Sequence, residues 1–248
     1  LVFIVFNLVK KVDYKKIIYS NSSTPIKDIS IDSSSISKVI IHKETILSTA
    51  ERFGISPNAI IGIILAEGSL NNSPASYFEE LYIKKYFLTK DIEYLDALAK
   101  STIEETAKMK LKGESQTEFD YRLKHGLIWT IGLCQISIIN SYELEPKLSK
   151  FENRNQRNIK EVIESLLLPK ENIIYCAYEL KKISDTYLIL TGSDISNDYL
   201  TLATLYNNGL VDEKTQNSNV KLNRFSSYIS LHKDLIIELI KNDTQQKI

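Results

Sequence analysis

Cysteine is almost missing from this sequence: Cys134 and Cys176 are the whole supply. Two thiols cannot make a disulfide framework, and their spacing matches no zinc ligand set. Histidine is equally sparse, with His42, His125 and His232 scattered along the chain, so no metal site is expected and no cofactor is implied. An excess of charge is missing as well. Lys plus Arg number 31 and Asp plus Glu 31, which leaves no basic field to draw the chain to nucleic acid. With only 8 Gly and 5 Pro, breakers are scarce, and the abundant Ile, Leu, Glu and Lys favour helices.

What the chain does have is enough apolar material for a core, 43%, and enough charge for a solvated surface, 25%. Its 248 residues suit one large domain or one domain with extensions. The stretch Leu1 to Val9 is nearly all apolar and is followed by Lys10 and Lys11. Nine residues are too few to span a bilayer, and a signal peptide carries its basic residues before the apolar run rather than after it. The chain begins on Leu rather than Met, as a fragment would. The segment reads equally as the remnant of a signal or anchor, which leaves membrane association open, or as a buried strand. Residues 20–38 are rich in Ser and carry Pro25, the composition of a linker or loose arm. The compact domain is therefore expected over 40–248, after an N-terminal region of 1–39.

Within that domain, Lys43 to Phe53 has helical apolar spacing and stops at Gly54. Ser56-Pro57 opens a second helix, which runs through Glu67 and is expected to break at Gly68. Two or three amphipathic helices fit residues 74–124. The apolar, glycine-containing run from Gly126 to Ile139 suggests a buried turn or a short strand pair. Helices are expected from Pro169 through Leu180, from Tyr199 to Leu205, and from Phe225 to Lys241. The fold class is mainly α.

The sharpest chemical signal is Glu67. At roughly 100° per residue, Ile60, Ile63, Ile64 and Glu67 fall on one stripe of the helix. A carboxyl set among apolar side chains is desolvated, which disfavours its charged form and raises its pKa. A glycosidase acid needs that property, because it must hold a proton near neutral pH and deliver it to a leaving oxygen. Taken alone, the same Glu could reach water past Gly68 at a frayed last turn.

Three further segments follow in order. Ala66-Glu67-Gly68-Ser69 is succeeded by Gly132-Leu133-Cys134-Gln135-Ile136. Leu168-Pro169-Lys170-Glu171-Asn172-Ile173 comes next, with Cys176-Ala177 and Leu180 in register, and then Leu205-Tyr206-Asn207-Asn208-Gly209. Together they resemble the catalytic domain of the soluble lytic transglycosylases and the goose-type lysozymes, whose motifs end a helix in Glu-Ser and continue with Gly-Leu-Met-Gln-Ile, Asp-Pro-x-x-Asn-Ile and Ala-Tyr-Asn-Ala-Gly. The resemblance spans residues 56–209 and neither end of the chain.

It implies a lysozyme-like fold and a peptidoglycan glycan strand as partner. Glu67 would be the catalytic acid, and Ser69, Gln135, Tyr206 and Asn207 would contact substrate. Gln135 and Asn207 carry amides that both donate and accept, as sugar hydroxyls and acetamido groups require, and Gly132 and Gly209 allow backbone to approach a sugar closely. In the transglycosylase reaction, Glu67 protonates the oxygen of the bond between N-acetylmuramic acid and N-acetylglucosamine. It then acts as base on the muramic acid 6-hydroxyl, which closes a 1,6-anhydro ring. A hydrolytic muramidase would add a second carboxylate, roughly 6.5–9.5 Å away in the inverting case. A third reading is a glycan-binding or structural module that keeps the fold without the activity. The setting implied is the cell envelope, periplasmic or at the cell wall after secretion or delivery.

The sequence departs from the family in several places. Gly68 displaces the serine by one position, Cys134 stands for Met, and Cys176 stands for Gly. The span from Glu67 to Gly132 is long, so residues 74–125 look like a helical insertion whose partner the sequence does not name. Glu114, Glu118 and Asp120 within it are candidates for a second carboxylate. Asn172 reads as a helix cap, Trp129 as a core residue, and Asn207-Asn208-Gly209, alone, as an ordinary turn.

Overall fold

The computed structural model describes residues 25–70, 74–112, 130–208 and 220–241, with side chains except at 74–79 and 105–112. The apolar segment Leu1–Val9, the acids Glu114, Glu118 and Asp120, and Trp129, His125 and Gly209 lie outside the described residues.

In chain order, a 3₁₀ turn at Ile26–Asp28 leads into α1 (Ser33–Ile41), α2 (Lys43–Phe53), α3 (Pro57–Leu70) and α4 (Pro74–Tyr86). A second 3₁₀ turn at Phe87–Thr89 precedes α5 (Ile92–Lys112). The strands β1 (Thr130–Ile131) and β2 (Ile136–Ser137) follow. The chain then continues as α6 (Ile138–Phe151), α7 (Ile159–Leu166), α8 (Pro169–Thr191), α9 (Tyr199–Asn208), α10 (Arg224–Leu231) and α11 (Lys233–Lys241). The protein is mainly helical, as its composition requires. The expected strand pair is a minimal antiparallel hairpin, Thr130 opposite Ser137 and Ile131 opposite Ile136.

The described residues form two compact units, one of 74–175 and one of 25–70 with 176–241. Helix α8 gives its first residues to the former and the rest to the latter.

The second unit is organised around α3. Every residue of α3 from Ala59 to Glu67 is buried, and α1, α2, α9, α10 and α11 pack against it. A helix apolar on all sides has to be enclosed, so the single stripe expected from the sequence is in fact a buried cylinder. The helix also passes through Gly68 to Leu70 instead of breaking there. The Ser-rich stretch is not a loose arm over its later part: residues 33–41 are α1, capped at Asp32, with Val39 fully buried. The domain start expected near 40 therefore falls inside a helix. Three successive serines hid an ordinary Asp cap. The long C-terminal helix expected over 225–241 is two helices, α10 ending at its C-cap residue His232 and α11 beginning just after it.

In the first unit, α7 packs on α5 and α6, α6 packs on β2, and α4 packs on β1. Its core includes Ile83, Leu95, Ile131, Ile138, Leu148, Val162 and Ile163. A buried charge sits among them. The carboxylate of Glu145, on α6, is closed off from solvent and accepts from the Arg154 guanidinium, from the Arg157 amide at 2.8 Å and from the Tyr175 hydroxyl. Burial pushes the Glu145 pKa up, but these donors outweigh it and hold the carboxyl below its ordinary value. On the tyrosine, burial and the same carboxylate push the Tyr175 hydroxyl well above its usual range.

Candidate functional site

Glu67 is the fourth-last residue of α3, and only 7% of its surface is exposed. Apolar residues fill the helix behind it, and α9, which carries Tyr206 and Asn207, packs against the same helix. Tyr206 is half-buried and Asn207 is exposed at the last turn of α9. That end is tied down: Asn223 donates its amide to Asn207 Oδ1 at 2.9 Å and to Asn208 Oδ1 at 2.8 Å, while its own Oδ1 caps α10. Asn207 thus spends its carbonyl on the protein and keeps its amide N–H groups for other contacts.

Ser69 is also engaged internally. Its hydroxyl accepts the backbone N–H of Asp32 at 3.0 Å. The Tyr228 hydroxyl is buried and has no hydrogen-bond partner among the described residues. Burial raises the Tyr228 pKa most, the Ser69 hydroxyl opposes the rise, and the Asp32 carboxylate adds to it. The His232 ring lies against Tyr228, centroids 4.5 Å apart, and burial lowers the pKa of its imidazole.

The other unit contains Gln135, in the turn between β1 and β2. Gly132 has φ +79° and Gln135 has φ +48°. Positive φ is strained for a glutamine, and the side chain secures it: Nε2 donates to the Gly132 carbonyl at 2.9 Å, and Oε1 accepts from Thr130 Oγ1 at 3.1 Å. The turn is gripped from below by Asn172, which is fully buried. Asn172 Nδ2 donates to the Ile131 and Leu166 carbonyls, both at 3.0 Å, and Oδ1 accepts the Cys134 N–H at 2.8 Å. A side chain at 132 would collide with this amide, since a Cβ there would lie 2.2 Å from Asn172 Nδ2. Asn172 is therefore no helix cap but a clamp joining the second and third motifs. Each motif's odd residue, the glycine in one and the asparagine in the other, is explained by its counterpart. Cys134 and Cys176 are both buried.

Two carboxylates outside the motifs stand out. Glu145 is the buried ion-pair centre described above. Glu179 lies on α8, in the same unit as Glu67, and burial pushes its carboxyl up to about 7, with Lys182 opposing. The signal that marks Glu67 in the sequence also marks Glu179: an acid in a run of apolar residues, here Ile173-Ile174-Tyr175-Cys176-Ala177-Tyr178-Glu179-Leu180.

No family model matches the chain, and neither a curated protein nor a solved structure matches it.

Proposed function

We propose that the chain is a peptidoglycan-cleaving glycosidase, a lytic transglycosylase that cuts the β-1,4 bond between N-acetylmuramic acid and N-acetylglucosamine with Glu67 as its acid. The observation that carries this reading is the placement of Glu67, an acid 7% exposed at the end of a wholly buried apolar helix segment. A carboxyl set at this place, with apolar residues behind it on the same helix, is positioned to hand a proton to an oxygen brought within hydrogen-bond reach. The clamp between Gly132 and Asn172 adds support, because it gives two of the resembling motifs one shared physical purpose.

In this reading, Glu67 donates its proton to the glycosidic oxygen as the bond to the muramic acid anomeric carbon breaks. The resulting Glu67 carboxylate takes the proton of the 6-hydroxyl while that oxygen bonds to the anomeric carbon, so the proton inventory closes without water. One carboxyl serves both steps, which is why this route is preferred over a muramidase that needs a second acid of fixed position. Glu67→Gln keeps shape and hydrogen bonding but has no proton to give. It is expected to fold with a melting temperature near that of the wild type and to lose activity on purified peptidoglycan by at least about 100-fold. Clearing at the wild-type rate would remove Glu67 from the chemistry.

A further inference from the structure

The arm that precedes α2 ends against the two residues that follow Glu67. Besides the Asp32 N–H to Ser69 Oγ bond of 3.0 Å, the Asp32 carboxylate caps α1. It accepts from the Ser35 amide at 3.0 Å, from Ser35 Oγ at 2.9 Å and from the Ser34 hydroxyl. Ser35 is 1% exposed and fills the space that a side chain at 68 would need. A Cβ on Gly68 would lie 1.7 Å from Ser35 Oγ and 2.9 Å from Ser35 Cβ. The glycine that interrupts the Glu-Ser pair of the resembling motif is the residue that admits the arm.

Position matters because of where Glu67 stands. Glu67 lies in the last described turn of α3, and proton transfer needs an acid held within hydrogen-bond reach of one oxygen. The serine that follows the acid directly in the family is displaced here, and the contact from Asp32 holds it in its new place.

We propose that the Asp32–Ser35 corner is a positioning element for Glu67, holding the backbone at Gly68 and Ser69 so that the acid keeps one orientation, and that Gly68 exists to receive it. The proposal rests on the reading of Glu67 as the acid. Asp32 and Ser35 are positioning residues; neither meets the reacting atoms.

The test is a rescue experiment with the full chain on purified peptidoglycan, with thermal unfolding measured alongside. Gly68→Ala pushes Ser35 off its seat and should lower kcat on the order of 10-fold, short of the roughly 100-fold that a full 1 Å displacement of a catalytic group can cost. KM should change less than kcat, since Ser69 alone of the expected substrate contacts lies against the arm. Adding Ser35→Gly to Gly68→Ala removes the colliding atoms and should restore kcat to within about threefold of Ser35→Gly alone, with a matching recovery in melting temperature. A second pair keeps the idea testable if Gly68→Ala does not fold. Asp32→Asn, an equally good cap, should retain kcat, whereas Asp32→Ala should lower it with KM unchanged. A wild-type kcat for Gly68→Ala, a double variant no better than the single one, or a loss confined to KM would each overturn the proposal. Failure of the underlying reading has a different signature: Glu67→Gln would stay active whatever the arm variants do.

Discussion

Replacing Asn172 by alanine removes one buried side chain and orphans three backbone groups, the Ile131 and Leu166 carbonyls and the Cys134 N–H. Each buried group left without a partner costs about 1–3 kcal/mol. The hairpin is short and can admit water once the clamp is gone, so the three do not sum in full. The expected loss is about 3–5 kcal/mol, which for a chain of this size lowers the melting temperature by about 10 °C. Asn172→Asp should be no better at neutral pH. It keeps an acceptor for the Cys134 amide but loses both donors and sets a carboxylate against two carbonyls. The natural comparison is Asn158→Ala, which removes the capping asparagine of α7 and should cost only about 1 kcal/mol. Thermal and urea unfolding give the energies, and hydrogen exchange at the Cys134 amide reports the local event, with protection lost in Asn172→Ala and kept in Asn158→Ala. If Asn172→Ala costs no more than Asn158→Ala, the clamp does not hold the turn and the link between the second and third motifs fails.

Three further outcomes are expected. Glu145 titrates below its ordinary 4.5 in the folded chain, so its contribution is present above that pH and is lost as pH falls through the folded value. Glu145→Gln should therefore be less stable than the wild type at pH 7, by about 1–3 kcal/mol, because Arg154 loses its buried partner but keeps its pair with Glu152 at 2.8 Å. The gap should narrow in acid, as followed by urea unfolding across pH. Glu179 has the opposite sign: its carboxyl rises from 4.5 to about 7 on folding, so ionising it costs stability increasingly between those pH values. Glu179→Gln should be more stable than the wild type at pH 8 and indistinguishable from it below pH 4.5 in the same assay. Tyr206→Phe should leave the melting temperature unchanged and lower turnover on the order of 10-fold, about 1.4 kcal/mol of transition-state stabilisation. A silent phenylalanine there would detach the fourth motif from the chemistry.

Local rules carried much of this structure. The start of α3 follows from Ser56-Pro57 and the start of α8 from Pro169, and the end of α2 falls at Gly54, each from capping or breaking chemistry within a few residues. What eluded the sequence depends on partners far along the chain. The Asn172 clamp acts on residues 38 and 41 positions away, so nothing near Asn172 separates a clamp from a cap. The need for glycine at 68 comes from Ser35, a residue of α1 that occupies the space a side chain there would take. Full burial of α3 depends on five helices that close around it, whereas periodicity alone reveals one face. Helix α6 is hidden for another reason. Pro146 falls inside α6, and its cap, Ser137, belongs to the strand pair. The burial of Glu67 was legible because an acid in an apolar run is locally anomalous. That of Glu145 was not, since Tyr-Glu-Leu-Glu-Pro reads as an ordinary solvated stretch until Arg154, Arg157 and Tyr175 converge on it.

The most direct test of the central claim is mass spectrometry of the fragments released from purified peptidoglycan by the wild-type chain and by Glu67→Gln. Muropeptides ending in 1,6-anhydro-muramic acid are expected from the wild type and none from the variant. Fragments with reducing muramic acid ends would show hydrolysis in place of ring closure, and no release from the wild type, or equal release from both proteins, would contradict the assignment of Glu67 as the acid of a glycan-cleaving enzyme.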